Sequence, residues 1–359
     1  MRRRAALGLW CVLLLAGCQA RAAPAAPPAA SAAPAAEPGA SAALGPEPPL
    51  AVVRVAHAGV APEVAAVWLA VDLGLDRQYG LQIDLRQTRS AALSQAALLS
   101  GELDYAWTGL GPTLGARSGG SPVVFLGATS TRAASELVTQ PTLAAPEQLR
   151  GATIGVHSLG GPPHLRTLAA LKRLGLDPDR DRVTILVTGD EPTTAAALQE
   201  RAIDGAPLSY ASAAPLKEQG YHAWDLGALG VPDILGIVGL PATAHGRAED
   251  TLRLLRAVAA GQAYLKAGAT DPAAREQAAA VVARRMRASE IGPILHHLDR
   301  TRERVPLDLR VDLDDARELQ ASMGGFEPAI LQIPLEEVLD LSFRDQLAAA
   351  GFFARLGAR

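Results

Sequence analysis

The chain has 359 residues, of which 49% are apolar and 20% charged, with a formal charge of −3 and two cysteines. Both cysteines, Cys11 and Cys18, fall at the very start, so the rest of the chain has no disulfide, no thiolate metal site and no cysteine nucleophile. A negative balance without a basic stripe argues against a nucleic-acid partner.

Arg2, Arg3 and Arg4 precede an apolar run from Leu7 to Leu15. That run is too short to span a bilayer and has the dimensions of a signal-peptide core. It ends in Leu15-Ala16-Gly17-Cys18, which resembles the bacterial lipobox and implies that Cys18 becomes the acylated first residue of a mature protein. Residues 1–17 hold three arginines and no acid, so the charge of the remainder is −6. Residues 18–50 are mostly Ala and Pro, with Ser, Gly and Glu, too poor in apolar bulk to fold. They are expected to form a disordered tether, reaching several tens of ångströms at about 3 Å per residue. The roughly 300 residues that follow exceed what a single core usually organises and predict two domains.

Val52-Val53-Arg54-Val55-Ala56-His57 predicts a strand, and Pro62 to Asp76 a helix with Val67, Leu69 and Leu73 at helical spacing. Leu81, Ile83 and Leu85 alternate as a strand. Ser90 caps a helix through Leu99, Gly101 stops it, and Leu103 to Trp107 predicts a third strand. This β-α-β-α-β order predicts a parallel sheet.

The order returns about a hundred residues later. Thr153 to His157 predicts a strand, followed by a helix through Leu174, a strand over Val183–Val187, a helix from about Pro192, and a strand over Leu208–Tyr210. His57 matches His157, Leu98 matches Leu198, and Asp104 matches Asp204, which suggests two α/β halves of similar build. Between them, Val123–Leu126 and Glu136–Thr139 predict strands, the second crossing into the other half. Ile234–Gly239 is expected to cross back. From Ala248 the pattern is helical and is expected to cover the first half.

Several segments together resemble the type 2 periplasmic binding proteins, in the branch that binds nitrate, aliphatic sulfonates, taurine or the pyrimidine precursor of thiamine. They are Gly80-Leu81-Gln82-Ile83, Ser100-Gly101-Glu102-Leu103-Asp104-Tyr105-Ala106, Leu149 to Val156, Leu174 to Pro178, and Ile203-Asp204-Gly205-Ala206, within a span from Val53 to Phe352. The resemblance implies an α/β fold of two domains with mostly parallel sheets joined by two crossover strands. The expected boundaries are 51–138 with 236–359 for domain I and 139–235 for domain II. Gly160-Gly161-Pro162-Pro163-His164 departs from the family pattern, because each proline removes an N–H that could hold an anion.

In such sheets ligands bind beyond the carboxyl ends of the parallel strands. That rule selects Ala58–Glu63, Gln87–Ala91, Thr108–Pro112, Ser158–His164, Thr188–Thr193 and Ser209–Ala213. Within or beside these loops, His57, Thr88, Ser90, Thr108, Ser158, Gly161, His164 and Ser212 are candidates for ligand contacts. The plain alternative for the hydroxyls is helix capping. Arg89 is the arginine of these loops and could pair with an anionic group. Trp107 and Tyr210 follow equivalent strands and could sandwich a planar ligand, the alternative being core packing. No histidine has partners at metal-ligand spacing, and Asp177-Pro178-Asp179-Arg180-Asp181 lacks the Gly and Glu of a calcium loop.

The combined expectation is an exported, lipid-anchored solute-binding protein that delivers a small organic molecule to the permease of an ABC importer. It is expected to be a monomer with no catalytic residue, metal or cofactor, attached to the membrane through its lipid alone. A ligand-sensing receptor subunit of a signalling system is the alternative, followed by an enzyme of cofactor synthesis.

Overall fold

A computed structural model describes residues 50–58, 61–159 and 161–357. The expected leader, Cys18 and the tether up to residue 49 lie outside the described residues, as do Gly59, Val60 and Gly160 of the selected loops.

The first β-α-β-α-β passage forms as the pattern predicts. β1 (Ala51–Ala58) is followed by α1 (Ala65–Asp72), β2 (Leu81–Thr88), α2 (Ala91–Leu99), β3 (Tyr105–Gly109) and α3 (Leu110–Ser118). The alternation of apolar residues explains why the strands form a sheet covered on both faces. Val53, Val55, Tyr105 and Trp107 enter one core, whereas Ala56 and Ala106 enter the other. β4 (Val124–Arg132) repeats this division, with Val124 and Leu126 on one side and Phe125 and Ala128 on the other.

The chain then changes sheet. β5 (Ser135–Thr139) pairs antiparallel with β8 (Gly205–Ser209) and β9 (His222–Asp225). β6 (Thr153–Val156), α4 (Pro162–Arg173), β7 (Thr184–Val187), α5 (Glu191–Gln199) and α6 (Tyr210–Glu218) complete the second α/β half. β10 (Pro232–Gly239) returns to the first sheet, antiparallel to β3 and β4. The strand orders are therefore β2-β1-β3-β10-β4 and β7-β6-β8-β5-β9, with β1, β2 and β3 mutually parallel, as are β6, β7 and β8. Both sheets are mixed, and each antiparallel strand is the one that crosses or lies beside a crossing.

The changes of sheet fall between Arg132 and Ser135 and between Asp225 and Pro232. Both come a few residues before the expected boundaries at 138 and 235. Two local expectations are corrected. Tyr210 does not end a strand but opens α6, because Ser209 caps the helix by accepting from the Ser212 N–H at 3.3 Å. β9 had no counterpart among the predicted strands.

The repeat at a shift of one hundred is structural. α2 and α5 cover matching positions, as do β3 and β8, and α3 and α6. Thr88 and Ser94 share a hydroxyl hydrogen bond of 2.6 Å, and Thr188 and Thr194 share one of 2.7 Å at the equivalent place. Asp104 accepts from the Arg54 N–H at 2.7 Å, and Asp204 accepts from the Thr153 N–H at 2.8 Å.

After β10 come α7 (Pro241–Gly246), α8 (Ala248–Ala267), α9 (Pro272–Met286), α10 (Gly292–Thr301), α11 (Leu313–Gly324), α12 (Leu335–Val338), α13 (Ser342–Ala349) and α14 (Phe352–Gly357). Residues of α8, α9, α13 and α14 bury one face of the first sheet, and those of α11 and α12 the other. α8 approaches α1 closely because Gly261 has no side chain; a Cβ there would stand 2.0 Å from the Ala66 carbonyl oxygen. Among the described residues no helix is long and apolar enough to cross a membrane.

Candidate functional site

Both sheets belong to one compact unit, and a cleft of about 690 Å³ opens between them. Its walls come from the carboxyl ends of the parallel strands and from the crossing segments. Pro62 and Glu63 follow β1, Trp107 lies in the middle of β3, Pro163 opens α4 after β6 with Arg166 a turn further along it, Glu191 opens α5 after β7, and Ser209 ends β8. Ser135 and Asp233 come from the two sheet changes, and Met286 to His297 form one rim.

Trp107 lines this cleft, and its indole N–H donates to Thr129 Oγ1 at 2.9 Å, which fixes the ring. Arg166 reaches Asp233 at 3.3 Å, so a residue after β6 of the second sheet faces the first residues of β10 in the other. Burial holds the Asp233 carboxyl above its ordinary range, Arg166 opposes that shift, and Glu63 adds to it. His297 lies 4.0 Å from Glu63, and burial pushes its imidazole below its ordinary pKa despite that carboxylate.

The helix entries facing the cleft are poor anion holders. Pro162 and Pro163 start α4 and remove two donors. At α5 the Asp190 carboxylate already accepts from the Thr193 N–H at 3.0 Å. Glu191 beside it accepts from the Ser209 hydroxyl at 2.6 Å. At α6 the Ser212 N–H is engaged by the Ser209 hydroxyl. The lining carboxyl groups are Glu63, Glu191, Asp233 and Glu290, against the single guanidinium of Arg166.

A second cavity, about 320 Å³, adjoins the cleft and shares Trp107, Arg166, Asp233 and Leu235 with it. Thr108, fully inside the fold, contributes to its wall.

The remaining candidates lie elsewhere. Tyr210 is completely buried at the start of α6; its hydroxyl donates to Asp225 at 3.1 Å and accepts from Arg304 at 2.9 Å, while the Arg300 guanidinium sits 4.5 Å over the ring. It therefore cannot present a face opposite Trp107. His164 is buried with its ring 4.6 Å from that of Phe326, on the side of α4 away from the cleft lining. His57 is buried and accepts from the Trp68 indole at 3.4 Å, beside the separate hollow formed with Arg284, Arg285 and Arg287.

Thr88 is held by Ser94, and Ser90 caps α2 by accepting from the Leu93 N–H at 3.3 Å. Exposed Arg89 stands beside them, away from the cleft lining. Gly161 caps α4 with Ser158 packed against it, and Ser212 is bonded to Ser209. Of these hydroxyls, Ser90 is a helix cap, whereas Thr88 and Ser212 are engaged by the neighbouring hydroxyls of Ser94 and Ser209. The residues that sequence reasoning missed are Arg166, Asp233 and His297. Arg166 had one available signal: it lies three and four residues beyond Pro163 and Pro162, on the helix face that enters the cleft. Among the described residues no cluster of histidine or carboxylate side chains could hold a metal ion.

No curated protein sequence matches the chain. Solved structures do. The sulfonate-binding protein SsuA from Methylobacillus flagellatus KT, described as part of a putative sulfonate ABC transporter, is 18% identical with a TM-score of 0.65, covering 84% of this chain and 96% of its own. The periplasmic nitrate-binding protein NrtA from Synechocystis PCC 6803 is 13% identical with a TM-score of 0.55, covering 84% and 89%. The desulfurization enzyme DSZB is 15% identical with a TM-score of 0.58, covering 83% and 99%. These likenesses establish the α/β fold of the periplasmic binding proteins. The sequence itself matches the family described as NMT1/THI5 like over residues 61–271, more than half of its length, and the chain belongs to that family.

Proposed function

We propose that this protein is an extracytoplasmic solute receptor, lipid-anchored through Cys18, that passes a small organic molecule to the permease of an ABC importer. The observation that carries this reading is the cleft itself. It is lined from the carboxyl ends of parallel strands in both sheets, and the chain passes twice between those sheets. The two bodies would divide where the chain changes sheet, between residues 132 and 135 and between 225 and 232, a few residues before the expected boundaries at 138 and 235. The binding-protein names of the sulfonate and nitrate relatives support the transport role.

Lining chemistry favours a neutral, zwitterionic or cationic ligand with a planar part, such as a pyrimidine like the thiamine precursor, over a taurine-like sulfonate or nitrate. Several carboxyl groups face one guanidinium, and the proline-rich entry of α4 offers few amide donors. Trp107 supplies an apolar ring instead.

The likeness to DSZB keeps a catalytic reading in view, with His297 and Glu63 as the pair in the cleft that could move a proton. Native mass spectrometry of freshly purified protein, followed by thermal shift with pyrimidines, taurine, alkanesulfonates and nitrate, tests both readings. A ligand at 100 times its Kd should stabilise by about 2.7 kcal/mol. Stabilisation by sulfonates or nitrate alone would overturn the ligand reading, and turnover of a bound compound would overturn the receptor reading.

A further inference from the structure

We infer that the ligand carries an apolar alkyl or aryl arm, and that this arm enters the 320 Å³ chamber beside Trp107. The inference rests on the reading of the cleft as a solute site and adds to it the shape and polarity of the solute.

The chamber is built on one face of α3. Gly111 and Gly115, one helical turn apart, leave its wall without side chains. A Cβ at Gly115 would meet nothing within 4 Å, and one at Gly111 would meet only Met323, with the sulfur at 3.4 Å. Glycine within a helix is destabilising relative to alanine, so open space is the physical feature these positions provide. Leu165, Ile234, Leu319 and Met323 make the other walls apolar. Methionine is a deformable wall, suited to arms of different shape.

Continuity with the cleft decides the occupant. Trp107 and the Arg166–Asp233 pair stand where the two cavities meet, so a molecule gripped in the cleft has a direct route into the chamber. The Arg166 Nε is buried and makes no hydrogen bond, although it lies 3.3 Å from Asp233. A polar group of the ligand at this junction would satisfy it and leave the apolar arm beyond. Buried polar donors ordinarily have partners. The cleft and the chamber each fall within the size range of small-molecule sites.

The test is calorimetric titration with three series of probes, 5-alkylpyrimidines, n-alkylamines and n-alkanesulfonates, each lengthened one methylene at a time. In the series whose head group the cleft accepts, affinity should rise about fourfold per methylene until the chamber is full. Gly115→Leu places a side chain in the chamber without breaking the helix, and should collapse the affinity ratio between the longest and shortest members. Met323→Ala enlarges the chamber and should extend the rise to longer arms, which covers the case of a poorly folded Gly115→Leu protein. Affinity independent of arm length, or an equal rise in wild type and both variants, overturns the chamber while leaving the receptor reading standing. Absence of binding by every probe and of any co-purified small molecule overturns both.

Discussion

Arg166 in the second turn of α4 places its Nε 3.3 Å from a carboxylate oxygen of Asp233 at the start of β10, and the pair faces the cleft. Asp233 is desolvated, opposed by Arg166 and pushed further by Glu63. In Arg166→Met the carboxyl would lose the cation that restrains its pKa, which would rise further. A folded-state pKa above the unfolded value means that the native state holds the proton more tightly. The associated stability is present at low pH and is lost as pH rises through the folded pKa. Removing one member of a buried pair costs up to about 3–5 kcal/mol. Urea denaturation should therefore show a deficit of that order in Arg166→Met at pH 7 and a smaller one at pH 5. Equal deficits at both pH values would show that the pair is solvated.

Asp225 is the hub of a different polar cluster. It accepts from Arg304 and Tyr210, pairs with Arg300, and is held far below the ordinary carboxylate range by those arginines despite its burial. Because Arg300 and Arg304 flank the end of α10, the cluster fastens the C-terminal helices to β9 of the second sheet. A depressed pKa gives stability that is complete above the unfolded value near 4 and lost as pH falls toward the folded one. Asp225→Asn should cost about 3–5 kcal/mol at pH 7. It should also flatten the loss of stability below pH 4, measured by chemical denaturation across that range. A variant as acid-sensitive as wild type would count against Asp225 as the group responsible.

The fold was legible because its signals are local. Period-two alternation in Val53 and Val55, the Ser90 cap and the stop at Gly101 each act within a few residues, and the repetition of these signals a hundred residues later exposed the second half. The site was less legible. The loop rule selected Glu63, Pro163, Glu191 and Ser209, which line the cleft, since strand ends can be read from pattern, and Trp107 lies just before a selected loop. It could not tell which side chains turn inward. Tyr210 bonds Asp225 and His164 packs its ring against Phe326, partners supplied by packing at long range. Asp233 and His297 reach the cleft from a crossing strand and a late helix, outside any strand-end rule.

Gly261 tests the packing that supports the first sheet. A methyl group there would collide with the Ala66 carbonyl, forcing α8 away from α1. Helix propensity alone would make Gly261→Ala more stable by about 0.8–1.0 kcal/mol. Overpacking costs about 1–3 kcal/mol, so the net change should be a loss of stability. A gain in the midpoint of urea denaturation would show that the two helices can separate without penalty.

Attachment to the membrane is predicted from Leu15-Ala16-Gly17-Cys18 behind a basic, apolar leader. Labelling with a fatty-acid analogue in a bacterial host should mark the wild-type chain and be lost in Cys18→Ser. Residues 51–359 made without the leader should remain folded in solution. Persistent labelling of the Cys18→Ser chain would place the lipid elsewhere or rule it out as the anchor.

Closure of the cleft is the motion that the sheet changes permit. The chain passes from one sheet to the other over Ala133 and Ala134, and back between Asp225 and Pro232, so few backbone dihedrals need to turn. A ligand touching Trp107 from one side and Arg166 or Ser209 from the other gains contacts only when the walls approach. That differential affinity shifts the population toward the closed form. Moving the balance from 1:99 to 99:1 requires about 10⁴-fold preference for the closed state, within reach of a buried organic ligand. Small-angle scattering of residues 51–359 should give a smaller radius of gyration with saturating ligand than without it. In Arg166→Ala, where one wall loses its polar contact, a larger ligand concentration should be needed for the same contraction. A profile that does not change although calorimetry proves saturation would mean that the cleft binds as a rigid site.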